Sequence, residues 1–301
     1  MSHFGKNGNV ERNHAVKFEV KEHGELLPFL LQQMNNRSRN SIKSMLTRGQ
    51  VKVDDHIETK HNYPLLPGQI VSVLKNKAAI QENTFIGLNI LYEDEAIIII
   101  NKDAGLLSMA TEKEKRRTAY HQLMDHVKRE NPRNRVFIVH RLDKETSGVM
   151  MFAKSEKVKR KLQENWKILV KERTYVALVE GKVKQTEGTI KSRLKESKTH
   201  KMYSIQDGDG QLAITHYRRV QANSLFSLLE VKLDTGRKNQ IRVHMSDLGH
   251  PIVGDKKYGA KSNDIGRLGL HAKVLSFLHP VTGQLMLFRA DVPKSFLVKS
   301  K

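Results

Sequence analysis

The stretch Val136-Phe-Ile-Val-His140-Arg-Leu-Asp-Lys-Glu145-Thr-Ser-Gly-Val-Met150-Met-Phe-Ala153 decides how this chain is read. Two apolar runs, 136–139 and 149–153, flank a polar segment ending in Thr146-Ser147-Gly148. Such runs, parted by turn-forming residues, read as strand, turn and strand. The polar segment carries Asp143, with Arg141 two residues before it. Side chains two apart on an extended chain point the same way, so this spacing presents an acid and a guanidinium together at a strand end. An aspartate ahead of Thr-Ser-Gly also suits plain turn capping. The rest of the chain has to choose between the two readings.

Working outward, Ala96-Ile-Ile-Ile-Ile100 is an apolar run of the kind buried on both faces of a sheet. Beyond residue 153 the pattern predicts strands at 174–180, 188–193, 213–220, 225–233, 240–244 and 286–290, with Gly and Asp turns between them. Helices are expected over 118–129, 157–169 and 270–278. Many strands and few helices predict an α+β domain on a mixed, largely antiparallel sheet, spanning 90–301. Ahead of it, 16–76 reads as a smaller α+β domain. It has an apolar helical patch (Leu26, Leu27, Phe29, Leu30, Leu31) and a helix over 41–48 that Gly49 ends. Short strands follow at 51–53 and 70–74. Residues 77–89 read as a polar linker and residues 1–15 as a disordered tail.

The chain has 301 residues, 53 Lys and Arg against 32 Asp and Glu, and a formal net charge of +21. A balance that basic calls for a polyanionic partner, nucleic acid first. No apolar run approaches the roughly 20 residues of a membrane-spanning helix, and no hydrophobic N-terminal signal is present. A cytoplasmic protein without membrane contact is expected. The absence of cysteine excludes disulfides, thiol nucleophiles and Cys-based zinc sites, and the 14 histidines never fall into an HExxH spacing. No metal is therefore expected.

Four blocks give the chain a family resemblance. They are Asn101-Lys102 with Ala104-Gly105-Leu106; His140-Arg-Leu-Asp143 with Thr146-Ser147-Gly148; Lys171 with Thr174-Tyr175-Val-Ala177, Val179 and Gly181; and Leu233-Asp-Thr-Gly-Arg237 with Gln240-Ile-Arg242-Val-His244. Gly254-Asp255, Tyr258-Gly259, Leu270-His271-Ala272 and His279-Pro280 add support. From residue 90 onward the chain resembles the RNA pseudouridine synthases that modify large-subunit ribosomal RNA and some transfer RNAs. Two positions depart from the pattern: Asp103 stands where proline is usual, and Lys238-Asn239 where Thr-His is more common. Neither is expected to touch the catalytic residues. Residues 16–76 resemble the small S-four-like RNA-binding domain through Ser38-Arg39, Ile42-Lys43, Gly49, Val51, Val53 and Pro67-Gly-Gln-Ile-Val71.

The resemblance implies isomerisation of uridine within an RNA chain, without a cofactor. Asp143 would be the catalytic carboxylate, acting as a nucleophile or as a base on the ribose. Arg242 would pair with it. Tyr175 would stack on the target base, and Arg141 would fill the place of a base flipped from its stack, which costs about a few kcal/mol to vacate. Arg237 and Lys238 would meet phosphates, and Arg37, Arg39, Lys43 and Arg48 would make a basic helical face on the N-terminal domain. The expected target is large-subunit ribosomal RNA, with transfer RNA as the alternative. A non-catalytic ribosome-assembly factor is the competing class, and a monomer is the expected state.

Overall fold

The computed structural model describes residues 15–47, 49–74, 85–112 and 114–301. These fall into two compact units, one ending at residue 74 and one beginning at Phe85. The expected tail lies outside the described residues except for Ala15, as do linker residues 77–84, Arg48 and Lys113.

The first unit runs β1 (Ala15–Glu19), β2 (Gly24–Glu25), α1 (Leu26–Gln33), α2 (Arg39–Thr47), β3 (Val51–Val53), β4 (His56–Ile57), β5 (Pro64–Leu65) and β6 (Ile70–Leu74). Its main sheet has the order β1-β6-β3-β4. Leu26, Leu27 and Leu30 of α1 and Ile42, Met45 and Leu46 of α2 bury their sides among Val51, Val53, Val71 and Val73. Pro28 sits in the first turn of α1, where its missing N–H costs nothing. Gly49, with φ +65°, ends α2. Burying Ile42, Met45 and Leu46 turns the opposite side of α2 outward. Arg39 on α2 is exposed and Lys43 half-buried, whereas Arg37, expected on the same helical face, is exposed in the bend ahead of the helix.

The second unit opens with β7 (Leu88–Glu93), which pairs with β8 (Ile97–Lys102). Residues 85–89, read from sequence as linker, therefore belong to this unit. Then come α3 (Ala119–Glu130), β9 (Phe137–Ile138), β10 (Ser147–Ala153), α4 (Glu156–Glu164), α5 (Trp166–Leu169), β11 (Val170–Glu180), β12 (Glu187–Glu196) and β13 (Met202–Ile205). The chain continues through β14 (Gln211–Ala222), β15 (Phe226–Leu233), α6 (Gln240–Asp247), β16 (Leu270–Leu278), β17 (Leu285–Arg289) and α7 (Lys294–Lys299). The described strands form one eleven-stranded sheet of order β13-β12-β14-β15-β11-β16-β10-β8-β7, with β17 on β16 and β9 on β10. Its pairs are antiparallel except β10 with β16. This is a mixed, mostly antiparallel α+β fold.

The centre of the sheet is covered on both sides. Ile98, Ile100, Met150 and Phe152 meet α3, while Ile97, Ile99, Val149 and Met151 meet Leu162 of α4. Two expected elements change type for that reason. Residues 270–278, expected as a helix, are the central strand β16, buried on both faces and so without the alternation that marks a half-exposed strand. Residues 240–244, expected as a strand, open helix α6, in which Gln240, Ile241, Val243, His244 and Met245 are all buried. Burial around most of the helix hides its 3.6-residue period.

Candidate active site

The segment 140–147 enters β10 as a loop held from several sides. Ser108 Oγ donates to the Leu142 carbonyl at 2.7 Å, the Gly105 N–H to the Lys144 carbonyl at 2.9 Å, and the Thr146 N–H to the Asp143 carbonyl at 3.1 Å. The Lys102 ammonium, fully buried, donates to the carbonyls of Asp103, Leu106 and Lys144 at 2.9, 2.7 and 3.1 Å. Burial pushes Lys102 down to about 8. One ammonium thus ties the loop after β8 to the loop bearing Asp143. At the start of β10, Ser147 Oγ meets His271 Nδ1 at 2.8 Å and accepts from Arg267 Nη2 at 2.7 Å. Gly148 has φ +114°, and a Cβ there would overlap the Ala272 carbonyl of neighbouring β16. Only glycine allows the two strands to approach where the loop bearing Asp143 runs into β10.

Two histidines of this frame are neutral. His140 Nε2 accepts the Met151 N–H at 3.0 Å, and burial, with Arg173 nearby, pushes it down to about 4. His271 is likewise pushed down to about 4 by burial. Neither is positioned as a cation for the neighbouring carboxylate.

Asp143 emerges from this frame with its side chain 30% exposed. Its Oδ2 accepts from Asn239 Nδ2 at 2.6 Å and from Arg242 Nη1 at 3.3 Å. Among the described residues its Oδ1 accepts none. Arg242 gives its remaining fork to Asp255: Nε to Oδ2 at 2.7 Å and Nη2 to Oδ1 at 2.8 Å. Asp255 is only 1% exposed. Burial works against the Arg242 charge, but the Asp255 and Asp143 carboxylates outweigh it and push Arg242 above its ordinary value. The Arg242 guanidinium also lies 4.9 Å from the centre of the Tyr258 ring. Tyr258 Oη donates to Asn239 Oδ1 at 3.2 Å.

Tyr175 stands on β11 between β15 and β16, opposite Val231 and Ala272. It is half-buried, packed against the cores on both sides of its strand. Burial pushes its phenol up; Arg173 opposes this and the Asp143 charge adds to it. Arg173 itself donates to the Leu233 carbonyl at 3.0 Å and lies 5.9 Å from the Trp166 ring centre.

Asp143 therefore has Arg242 as a hydrogen-bond partner and Tyr175 as an electrostatic neighbour. Arg141 does not join them. Residues 141–143 are not a strand, and Arg141 is exposed, with Nη1 3.7 Å from Met109 Sδ and no ion pair among the described residues. The strand-end pairing expected from the two-residue spacing is thus absent. Arg237 is exposed, its Nε donating to the Leu212 carbonyl at 3.1 Å. Lys238 is exposed but engaged, 2.5 Å from Glu196. Arg37, Arg39 and Lys43 lie in the other unit, and Arg48 lies outside the described residues.

Asn239 overturns one expectation. The Lys238-Asn239 departure was expected to stay clear of the catalytic residues, yet Asn239 makes the shortest hydrogen bond to Asp143. The readable signal was backbone preference: Asn239 has φ +52°, a left-handed conformation that asparagine tolerates better than most residues.

Residues 96–247 match the family model for RNA pseudouridylate synthase. The chain belongs to this family. Asp143, Tyr175, Asn239 and Arg242 all fall inside the matched span. The RNA pseudouridine synthase YhcT of Bacillus subtilis is 32% identical over 94% of this chain and 94% of its own length. The ribosomal large subunit pseudouridine synthase D of Vibrio cholerae is 32% identical over 85% of this chain and 84% of its own. Among solved structures, human RNA pseudouridylate synthase domain containing 1 superposes with a TM-score of 0.54 at 26% identity, covering 68% of this chain and 83% of that one. This RNA pseudouridylate synthase converts uridine to pseudouridine within RNA. Among its described residues, no helix is long and apolar enough to cross a membrane.

Proposed function

We propose that the chain isomerises uridines of large-subunit ribosomal RNA in the cytoplasm, with Asp143 as its catalytic carboxylate. The observation that carries the site assignment is the half-engaged state of that carboxylate: Oδ2 takes both hydrogen bonds, from Asn239 and Arg242, and Oδ1 remains for substrate. The choice of RNA follows the printed name of the Vibrio cholerae relative and the net charge of +21.

The reaction breaks the bond from N1 to C1′, turns the base and joins C5 to C1′. The proton lost from C5 balances the one gained at N1, so no oxidant, reductant or second substrate enters. One group acting on the ribose suffices, and Asp143 fills that role as nucleophile or base. Tyr175 forms the stacking wall for the base beside this carboxylate. Arg141, exposed and without an ion pair among the described residues, is available to occupy the gap left by the flipped base. Arg237 and the exposed part of Lys238 meet phosphates. The first unit serves as an S-four-like anchor, with Arg39 and half-buried Lys43 on its second helix and Arg37 exposed just ahead of it.

Release of tritium from RNA labelled at C5 of uridine, taken from cells lacking this protein, tests the reading. Wild-type protein releases tritium from large-subunit ribosomal RNA; Asp143→Asn releases none while binding the same RNA with unchanged affinity. Full activity in the variant overturns the assignment of Asp143. Release from transfer RNA alone overturns the target, and binding without any release favours an assembly factor.

A further inference from the structure

We infer that Asn239 is a positioning residue that fixes which oxygen of Asp143 faces the ribose, and that Tyr258 acts through it. The inference rests on Asp143 being the catalytic carboxylate.

A carboxylate offers two equivalent oxygens until its surroundings distinguish them. Here Asn239 Nδ2 at 2.6 Å and Arg242 Nη1 at 3.3 Å converge on Oδ2. The orientation of the Asn239 amide is itself dictated. A reversed amide would set its oxygen against Oδ2 at that same short distance, with no proton between them. The unreversed amide places Oδ1 3.2 Å from Tyr258 Oη. Tyr258 is in turn held by the backbone, since its Oη accepts the Met202 N–H at 3.2 Å. The chain of bonds runs from the backbone of β13 through a buried phenol and an amide to one oxygen of Asp143. Its effect is to hold the carboxylate in one rotamer with Oδ1 presented, which is the kind of preorganisation that accelerates chemistry without adding to substrate binding.

Arg242 alone would not achieve this. Its planar fork is matched to Asp255 through two nitrogens, and it reaches Asp143 with one, at the longer distance. Asn239 supplies the second, shorter point of contact that stops the carboxylate turning. The left-handed backbone at φ +52° aims the amide there, because Asn239 is the residue at which the chain turns into α6.

Aspartate and histidine both tolerate a left-handed backbone, so substitution by either leaves the turn intact. Asn239→Asp keeps the shape and the acceptor for Tyr258 but replaces the donor with a second carboxylate. Asn239→His restores a ring N–H near the same place. With saturating RNA labelled at C5 of uridine, Asn239→Asp lowers kcat about 100-fold, the scale of losing one preorganised donor, with KM changed less than about twofold and the melting temperature kept. Asn239→His recovers kcat to within about tenfold of wild type. Tyr258→Phe removes only the hydroxyl and keeps the ring under Arg242; in an Asn239→Ala background it lowers kcat no further. Asn239→Asp with wild-type kcat, or Asn239→His as slow as Asn239→Asp, overturns the inference. So does a Tyr258→Phe effect that multiplies with Asn239→Ala. Wild-type protein inactive on every RNA tested would instead defeat the reading on which the inference rests.

Discussion

Arg242 reaches Asp143 across 99 residues of sequence with a single nitrogen, Nη1 at 3.3 Å from Oδ2. Its other two hydrogen bonds go to Asp255, which is almost completely buried. The guanidinium arrives at the site already neutralised and oriented by one carboxylate, and it touches the second end-on. A bidentate pair with Asp143 would have engaged both oxygens; this arrangement engages one.

Asp255→Asn tests that division of labour. With its counter-charge gone, Arg242 loses the anchor that aims it, and kcat falls at least about tenfold. Breaking a buried pair costs on the order of 3–5 kcal/mol, which a urea midpoint reads. An unchanged midpoint together with unchanged kcat would show that Arg242 is aimed by something other than Asp255.

Gly148→Ala is expected to destabilise the fold by about 2–4 kcal/mol, because strain at a positive φ adds to an overlap with the Ala272 backbone. Gly105→Ala is the control. Gly105 has φ +89° but no neighbour within 4 Å of a Cβ, so strain alone applies. Equal losses for the two variants would remove the argument that close approach of β10 and β16 demands glycine.

Stability should fall on mild acidification. His140 and His271 stand at about 4 when folded against an ordinary value of 6.5. Between those values the unfolded chain binds protons that the folded chain refuses, so stability is fully present above 6.5 and drains as pH drops toward 4. Denaturant midpoints measured from pH 7 to pH 4.5 should decline through this window. Replacing His271 with Gln should flatten the decline; a midpoint that does not move with pH contradicts the buried, neutral state of both rings.

RNA affinity should weaken steeply with salt, with log Kd linear in log salt concentration, since a chain of net charge +21 gains most of its binding by releasing counterions. Filter binding between 50 and 200 mM salt on the order of 10³-fold apart would match six or more phosphate contacts. A flat response would deny phosphates the main share.

Arg141→Ala should leave the melting temperature unchanged, because the side chain is exposed and makes no ion pair among the described residues. It should slow tritium release from structured RNA about tenfold or more while sparing a short single-stranded target, in which no stack has to be filled. Equal slowing on both substrates would make Arg141 an ordinary phosphate contact.

The strands were readable wherever one pattern of burial dominated. The runs at 96–100 and 149–153 stand in the sheet as β8 and β10, and the charged alternation of 188–193 lies within β12. Reading failed where a buried element lacked an unbroken apolar run, as in Leu270-His-Ala-Lys-Val-Leu-Ser-Phe-Leu278. β16 lies between β11 and β10 with cores on both faces, so its apolar residues carry no period of two. α6 is buried on most sides and showed an Ile-Arg-Val alternation that imitated a strand. In both, tertiary packing erased the local signal that distinguishes helix from strand.

Asp143, Tyr175 and Arg242 were named as candidates from the family resemblance of their blocks. The pairing of Arg242 with Asp143 was expected as well, but the contact from Asn239 was not. Asn239 is 96 residues from Asp143, and it meets the carboxylate only because α6 packs against β11 and β15 and starts from a left-handed turn. Arg141, two residues away, faces solvent instead. Local geometry follows from neighbouring residues, but which polar groups meet is settled by how the sheet brings distant segments together. A buried or half-buried carboxylate takes the donors that folding places beside it.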